Sequence, residues 1–243
     1  MRYAILADIH SNLAAFHAVL NDLETNGGFD EIWCLGDIVG YGPAPHECIE
    51  LLNRYKHTCV AGNHDWASIE KISLEDFNPY AIIACQWTGS QLTDNDINFL
   101  KLLPEMIVQD EFTLVHGSPR DPLIEYILSE KEATENLKYF TTNYCLVGHS
   151  HIPLVFKHKD NKASFIEFGE GKSLSLSDTR FMINPGAVGQ PRDNDPRANY
   201  ALYDTNLNSI YHAKVNYDFK ITQQKMEKVG LPDILISRLS DGW

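Results

Sequence analysis

Six short β-rich runs in this chain each stop at a polar motif, and that repeated arrangement constrains the fold more than any other feature. Residues 2–7 lead into Asp8-Ile9-His10, 31–35 into Gly36-Asp37, and 57–61 into Gly62-Asn63-His64-Asp65. Residues 112–115 lead into His116-Gly117, 144–147 into Gly148-His149-Ser150-His151, and 180–183 into Asn184-Pro185-Gly186. Runs this short, bounded by turn residues, read as buried strands. Helical patterns separate them. Leu13, Phe16, Val19, Leu20 and Leu23 form an apolar stripe that Gly27-Gly28 ends. Asn78-Pro79 reads as an N-cap with proline at the first helical position. Ser129 with Glu132, and Thr93 with Asp96, have capping-box spacing. Residues 200–203 and 209–215 flank Asn206-Leu207-Asn208, which predicts a hairpin. A helical stretch near 219–229 should stop at Gly230 and Pro232. The alternation predicts an α/β sandwich, and no stretch has linker composition, so a single domain over residues 1–243 is expected.

Composition narrows the function classes. At 243 residues and 44% hydrophobic, the chain is long and apolar enough for a substantial core. No apolar run approaches the ~18 residues of a membrane span, and Asp8 interrupts the start too early for a signal peptide. A cytoplasmic protein with no membrane contact is expected. Asp+Glu outnumber Lys+Arg by 33 to 20, a net charge of -13, which argues against nucleic acid as the partner. The five cysteines, Cys34, Cys48, Cys59, Cys85 and Cys145, include no CxxC pair. They are read as buried free thiols rather than a disulfide framework or a zinc site. Three partial motifs fail on spacing: Gly171-Lys172-Ser173 lacks the first P-loop glycine, Gly148-His149-Ser150-His151 lacks the closing glycine of a nucleophile elbow, and His46-Glu47 lacks the second histidine of a zinc-protease helix.

What remains is a set of oxygen and imidazole donors at strand ends. Residues i and i+2 of an extended chain share a side, so Asp8 with His10, and His149 with His151, should each grip one ion. Asp37, Asn63 and His116 each follow a β-rich run and a tight turn. Any one of these alone reads as a turn former or a surface histidine. Together, five of the ten histidines fall in four of these polar motifs, which does not reduce to coincidence. The donor set suits Mn, Fe, Zn or Ni rather than a soft, thiolate-bound metal.

Asp8-x-His10, Gly36-Asp37, Gly62-Asn63-His64-Asp65, His116-Gly117 and Gly148-His149-x-His151 resemble the full motif set of the calcineurin-like metallophosphoesterases, in family order. The stretches 36–43, 116–122 and 184–192 further resemble a compact bacterial subgroup of small phosphodiesterases and asymmetric diadenosine tetraphosphate hydrolases. The resemblance runs to about residue 215 and leaves the C-terminal helices uncovered. It implies a four-layer αββα sandwich of two mixed sheets flanked by helices, with the site at strand C-terminal ends. It implies two divalent or trivalent transition-metal ions, one held by Asp8, His10, Asp37 and His151, the other by Asp37, Asn63, His116 and His149. It makes His64 the general acid or phosphate-binding residue, oriented by Asp65. Two ions of this kind clamp phosphoryl oxygens and acidify a water between them.

Two further residues are candidates for substrate binding. Arg192 follows a glycine-rich turn and offers a planar fork to phosphate; the alternative is an exposed arginine paired with Asp193 or Asp195. Tyr41 could stack on a base or line the entrance; the alternative is a partly buried turn aromatic. The expected function is hydrolysis of phosphodiester or phosphoanhydride bonds in a small phosphorylated substrate, with the oligomeric state left open. The rivals are a phosphoprotein or phosphomonoester phosphatase, a metal-binding interaction scaffold, and a nuclease.

Overall fold

In the computed structural model, which describes residues 1–176 and 179–243, strand β1 (Arg2–Leu6) shows how the layers form. Its alternate side chains enter different apolar layers: Tyr3 and Ile5 face one way, Ala4 and Leu6 the other. Such two-sided burial is why residues 2–7 read as an almost unbroken apolar run. Among the described residues the later elements are α1 (Leu13–Thr25), β2 (Glu31–Cys34), α2 (Pro45–Leu52), β3 (His57–Cys59), α3 (Asn63–Ser68), α4 (Pro79–Gln91), α5 (Asp94–Leu102), β4 (Met106–Gln109), β5 (Phe112–Val115), α6 (Glu130–Asn136), β6 (Tyr144–Leu146), β7 (Pro153–Lys159), β8 (Lys162–Ile166), β9 (Ser173–Ser175), β10 (Arg180–Pro185), β11 (Ala198–Asp204), β12 (Ser209–Val215), α7 (Phe219–Lys228) and α8 (Asp233–Asp241).

Two six-stranded sheets result, ordered β3-β2-β1-β11-β12-β9 and β4-β5-β6-β10-β7-β8. Both are mixed. β1, β2 and β3 run parallel, as do β5, β6 and β10, while every other pair in the two sheets is antiparallel. Trp33, Leu35, Phe112, Leu114, Val155 and Ile183 fill the layer between the sheets. Phe16, Val19, Leu20 and Leu23 of α1 and Ile49 and Leu52 of α2 cover the first sheet. Ala133 of α6 and Phe140 pack on the second sheet against Cys145, Phe156 and Met182. The layering is thus αββα, as the family resemblance implied.

All six expected runs form strands, and the hairpin and the α1 stripe are present. Asn78 accepts from the amides of Tyr80 and Ala81, and Thr93 and Asp96 close a reciprocal box. The five cysteines are free and buried. Strands β4, β7, β8 and β9 were not expected. They are short or partly exposed, so their periodicity is weak. α7 ends at Lys228 just before Gly230 (φ 74°), and Pro232 instead opens α8, because proline fits the start of a helix. No helix among the described residues is long and apolar enough to cross a membrane.

Parallel register brings the motifs to one end. Leu6, Cys34 and Cys59 lie level across β1, β2 and β3. The loops that follow then hydrogen-bond to each other: the amides of Asp8, His10 and Ser11 donate to the carbonyls of Gly36, Asp37 and Ile38. From the second sheet, the amide of Gly148 donates to the carbonyl of His116 at 2.7 Å.

Candidate metal centre

The seven expected ligands converge at this end, all buried. Asp8, His10, Asp37 and His151 offer ligand atoms that all lie within 4.8 Å of one another, and so do Asp37, His116 and His149. Asp37 belongs to both groups. The Asn63 side-chain oxygen lies 3.1 Å from His116 Nε2, which puts it in the second.

The backbone reaches this arrangement by a route the sequence did not show. Asp8, His10, Asp37, His149 and His151 all have φ between 47° and 64°. The loops therefore turn through left-handed positions, and the expected extended i, i+2 geometry is wrong here. Each such non-glycine residue costs about 1–2 kcal/mol, strain of the kind that gathers at functional sites. Two glycines make the close approach possible. A Cβ on Gly62 would overlap the Asp37 amide and carboxylate, and one on Gly36 would lie 2.5 Å from the Gly62 nitrogen.

The donor atoms fit metal ions. One nitrogen of each histidine faces a backbone carbonyl: His10 Nδ1 faces Val39, His116 Nδ1 faces Leu35, His151 Nδ1 faces Gln190 and His149 Nε2 faces Ile124. A carbonyl only accepts, so these nitrogens carry the ring protons. The other four nitrogens then face inward, where a neutral ring turns the bare lone pair a metal needs. The inward separations are 3.1 Å for His10 to His151, 3.1 Å for His116 to His149, and 3.5 and 3.4 Å from Asp37 Oδ2 to His10 and His116. Ligands at about 2.0–2.1 Å from one ion, at tetrahedral or octahedral angles, stand about 3.0–3.4 Å apart. Asp37 Oδ2 is buried with no hydrogen-bond donor, an orphan that a cation would satisfy.

Electrostatics agree. Burial pushes Asp8 up to about 7, with the neighbouring Asp37 charge adding to it. His116 differs from the other three rings: burial opposes its charge, yet Asp37 and Asp8 hold it up to about 9, so a metal entering the second cluster would displace the proton from its inward nitrogen. Asp37 is pulled down against its own burial by His116 and His64. Burial lowers His149 to about 3, and His10 and His151 well below the ordinary range, so those rings stay neutral.

His64 stands beside the cluster. Its amide donates to Asp37 Oδ1 at 2.8 Å, and its ring packs 5.0 Å from His10 and 5.3 Å from Phe77. Burial lowers it to about 4. Its Nδ1 meets the Cys85 sulfur at 3.3 Å. The expected orienting contact from Asp65 is replaced: both Asp65 oxygens accept backbone amides, from Asp37 at 2.8 Å, Gly62 at 2.9 Å and Val39 at 3.1 Å. Asp65 sits at the third position of α3, where its carboxylate caps the helix and ties the two loops together.

Tyr41 takes the buried alternative rather than the base-stacking one. It is 5% exposed, 4.3 Å from the His64 ring and 4.7 Å from His10, and it packs with Ala81 of α4 and with Met226 and Leu235. No face is left for a base, so it serves as a wall. The exposed aromatic is Tyr126, which sequence reasoning missed; it stacks on His149 at 3.9 Å and is 43% exposed. Its loop carries no motif, and only its proximity to His116-Gly117 pointed there. Arg192 lies at the site, its amide donating to the His151 carbonyl. Asp193 and Asp195 pair with Lys214 and Arg197 instead.

A family model described as the calcineurin-like phosphoesterase superfamily domain matches residues 1–208. A metallophosphoesterase from Sphaerobacter thermophilus is 43% identical, with a TM-score of 0.91, over 100% of this chain and 99% of that one. An uncharacterised protein of Methanocaldococcus jannaschii is 39% identical over 97% of this chain and 96% of its own. A symmetrical bis(5'-nucleosyl)-tetraphosphatase of Pseudomonas putida is 30% identical over 82 residues, 30% of this chain and 28% of that protein.

Proposed function

Because the chain belongs to the calcineurin-like phosphoesterase superfamily and is a phosphoesterase hydrolase, we propose that it cuts phosphodiester or phosphoanhydride bonds of small molecules such as dinucleoside polyphosphates. Two buried donor clusters sharing Asp37, with His64 beside both, carry this reading. Asp8, His10, Asp37 and His151 would hold one ion and Asp37, Asn63, His116 and His149 the other. The ions, when bound, would supply Lewis-acid clamping of phosphoryl oxygens and a nucleophile at neutral pH.

The chain's own residues supply the rest. The Cys85 thiol, pushed up to about 12 by burial, keeps its S–H and faces His64 Nδ1. Nε2 then faces the substrate, and once the substrate's charge draws a second proton onto the ring, the imidazolium can give its Nε2 proton to the leaving oxygen and revert to a neutral ring, an effect typically worth ~10²–10⁴-fold. Burial keeps the ring neutral until the substrate's negative charge arrives. Phe77 and Tyr41 wall the site beside His64, which favours a small substrate over a phosphoprotein. Tyr126, rather than Tyr41, is the aromatic open to a base.

The packing of α7 and α8 against Tyr41 and α4 supports treating the chain as a single domain. Five buried free thiols suit a reducing compartment, and the cytoplasm is the proposed location. Mn, Fe, Zn and Ni all suit the donor set. The test is hydrolysis of diadenosine tetraphosphate, bis(p-nitrophenyl) phosphate, p-nitrophenyl phosphate and a phosphopeptide under each metal. Higher specificity constants for the first two are expected. Preference for the monoester or phosphopeptide would replace this reading with a phosphatase.

A further inference from the structure

The C-terminal helices, which no motif explains, are fastened to the floor of the site. The amide of Asn194 donates to the Gly242 carbonyl at the end of α8, and Gln223 of α7 donates to the Ile236 carbonyl. Thr222 of α7 donates to Asn12, whose side chain donates in turn to the Gly189 carbonyl. This docking brings Arg238 of α8 to the loop that carries Arg192. Both guanidinium groups donate to the same atom, Gln190 Oε1, Arg192 at 3.1 Å and Arg238 at 3.3 Å.

Two like charges converging on one neutral acceptor is an unusual arrangement in a chain of net charge -13. Neither arginine has an ion-pair partner among the described residues, because Asp193 and Asp195 are committed to Lys214 and Arg197. Of the five N–H donors on a guanidinium, each arginine uses one on a protein acceptor. Both Nε atoms are buried without an acceptor. Burial and the charge of Arg192 both weigh against the positive charge of Arg238. Both arginines are half-buried and face aromatic rings, Arg192 at 6.0 Å from Tyr41 and Arg238 at 5.3 Å from Trp243, but neither has a carboxylate, so an anion is the counter-charge the pair lacks. Arg192 stands beside the metal centre, its amide donating to the His151 carbonyl and its guanidinium near the Tyr41 ring.

Resting on the proposed phosphoester hydrolysis, we infer that Arg192 and Arg238, gathered by Gln190, form a second phosphate subsite that holds the phosphoryl group next to the one being cut. The preferred substrate class is then a polyphosphate chain rather than a diester with a single phosphate. Gln190 ties the arginine pair to the ligands, because its carbonyl accepts from His151 Nδ1 at 2.6 Å. The arginine forks match the oxygens of such a chain two at a time.

The test compares wild type, Arg238→Gln and Arg238→Lys, all loaded with Mn²⁺. The ratio of kcat/KM for diadenosine tetraphosphate to that for bis(p-nitrophenyl) phosphate should fall at least tenfold in Arg238→Gln and be partly restored in Arg238→Lys. Calorimetry at saturating free Mn²⁺ should show tripolyphosphate affinity falling at least tenfold in Arg238→Gln, and orthophosphate affinity falling less than threefold. Equal losses on both substrates, or no loss, would overturn the subsite. Should wild type cut neither substrate, the proposed function fails, and tripolyphosphate binding still decides the subsite by itself. A folding defect in Arg238→Gln would show as a changed circular dichroism spectrum and a lower melting temperature, and Arg238→Lys, which keeps the charge but not the planar fork, then decides the subsite by the same ratio, an undiminished ratio overturning it.

Discussion

Replacing Gly62 with alanine adds one methyl group, and the structure says where it must go. The backbone of Gly62 is extended, at φ -97°, so alanine is not strained there. The cost is spatial. The new carbon would lie 2.7 Å from Asp37 Cγ and would overlap the Asp37 amide nitrogen and Oδ1. Carbon atoms at rest stand about 3.5–4.0 Å apart, so a separation of about 1 Å must open. Rotating the Asp37 carboxylate is insufficient, because the Asp37 backbone is also in the way. Parting the loops breaks the amides of Asp37 and Gly62 from Asp65, which clamps both. Overpacking typically costs about 1–3 kcal/mol, and loss of the charged bond from the His64 amide to Asp37 about 1.5–3 kcal/mol. A total of about 2.5–6 kcal/mol corresponds to a Tm lower by roughly 5–24 °C in a chain of this size. Metal content, measured by elemental analysis, should fall with it, since the displaced side chain is the ligand shared by both clusters. Gly169→Ala is the control, because a Cβ there meets nothing within 4 Å. A Gly62→Ala protein within about 1 kcal/mol of wild type, with full metal content, would refute this account of the loop contact.

Three other outcomes are expected. Asp37→Asn should abolish detectable hydrolysis and lower the content of both metals, read by elemental analysis and a diester assay; retained activity would remove the two-metal assignment. His64→Gln should keep both metals and lose turnover, less for substrates whose leaving group is a weak base; equal losses across leaving groups would count against a general acid. Finally, His212 is fully buried and lowered by that burial to about 4. Its folded pKa lies below the unfolded value, so the stability it contributes is complete above about 6.5 and fades as pH falls toward 4. At pH 5 the loss is about 2 kcal/mol. Urea melts at pH 7.5 and 5 should show His212→Leu losing that much less than wild type between the two.

Much of the site could be read in the sequence because its ligands are local. Each motif follows its own strand, so Asp8, Asp37, His116 and His149 carry their context within a few residues, and parallel pairing does the rest. The helix signals in α1, α4 and α5 are local for the same reason: caps and apolar stripes depend on neighbours three or four residues away. Strands β7 and β8 had weak patterns because solvent reaches part of each.

Other features depend on pairs distant in the chain, which no local pattern encodes. Tyr41 looked available to a base until α7 and α8 covered it from more than 170 positions away. Asp65 was expected to orient the His64 ring, but the loops it actually ties belong to two different strands. The five left-handed ligand residues follow from close packing between loops, which overrides the extended conformation their sequence favours. Arg238 reaches Gln190 from 48 positions away because α8 docks on the 190–195 loop. The sequence by itself determined the donors and the strand ends that present them, because residue type and short-range periodicity suffice for both. The tertiary structure alone decided which ring faces stay open, which charges stay unpaired and what stands beside the metals, because burial and charge pairing are properties of space and not of order along the chain.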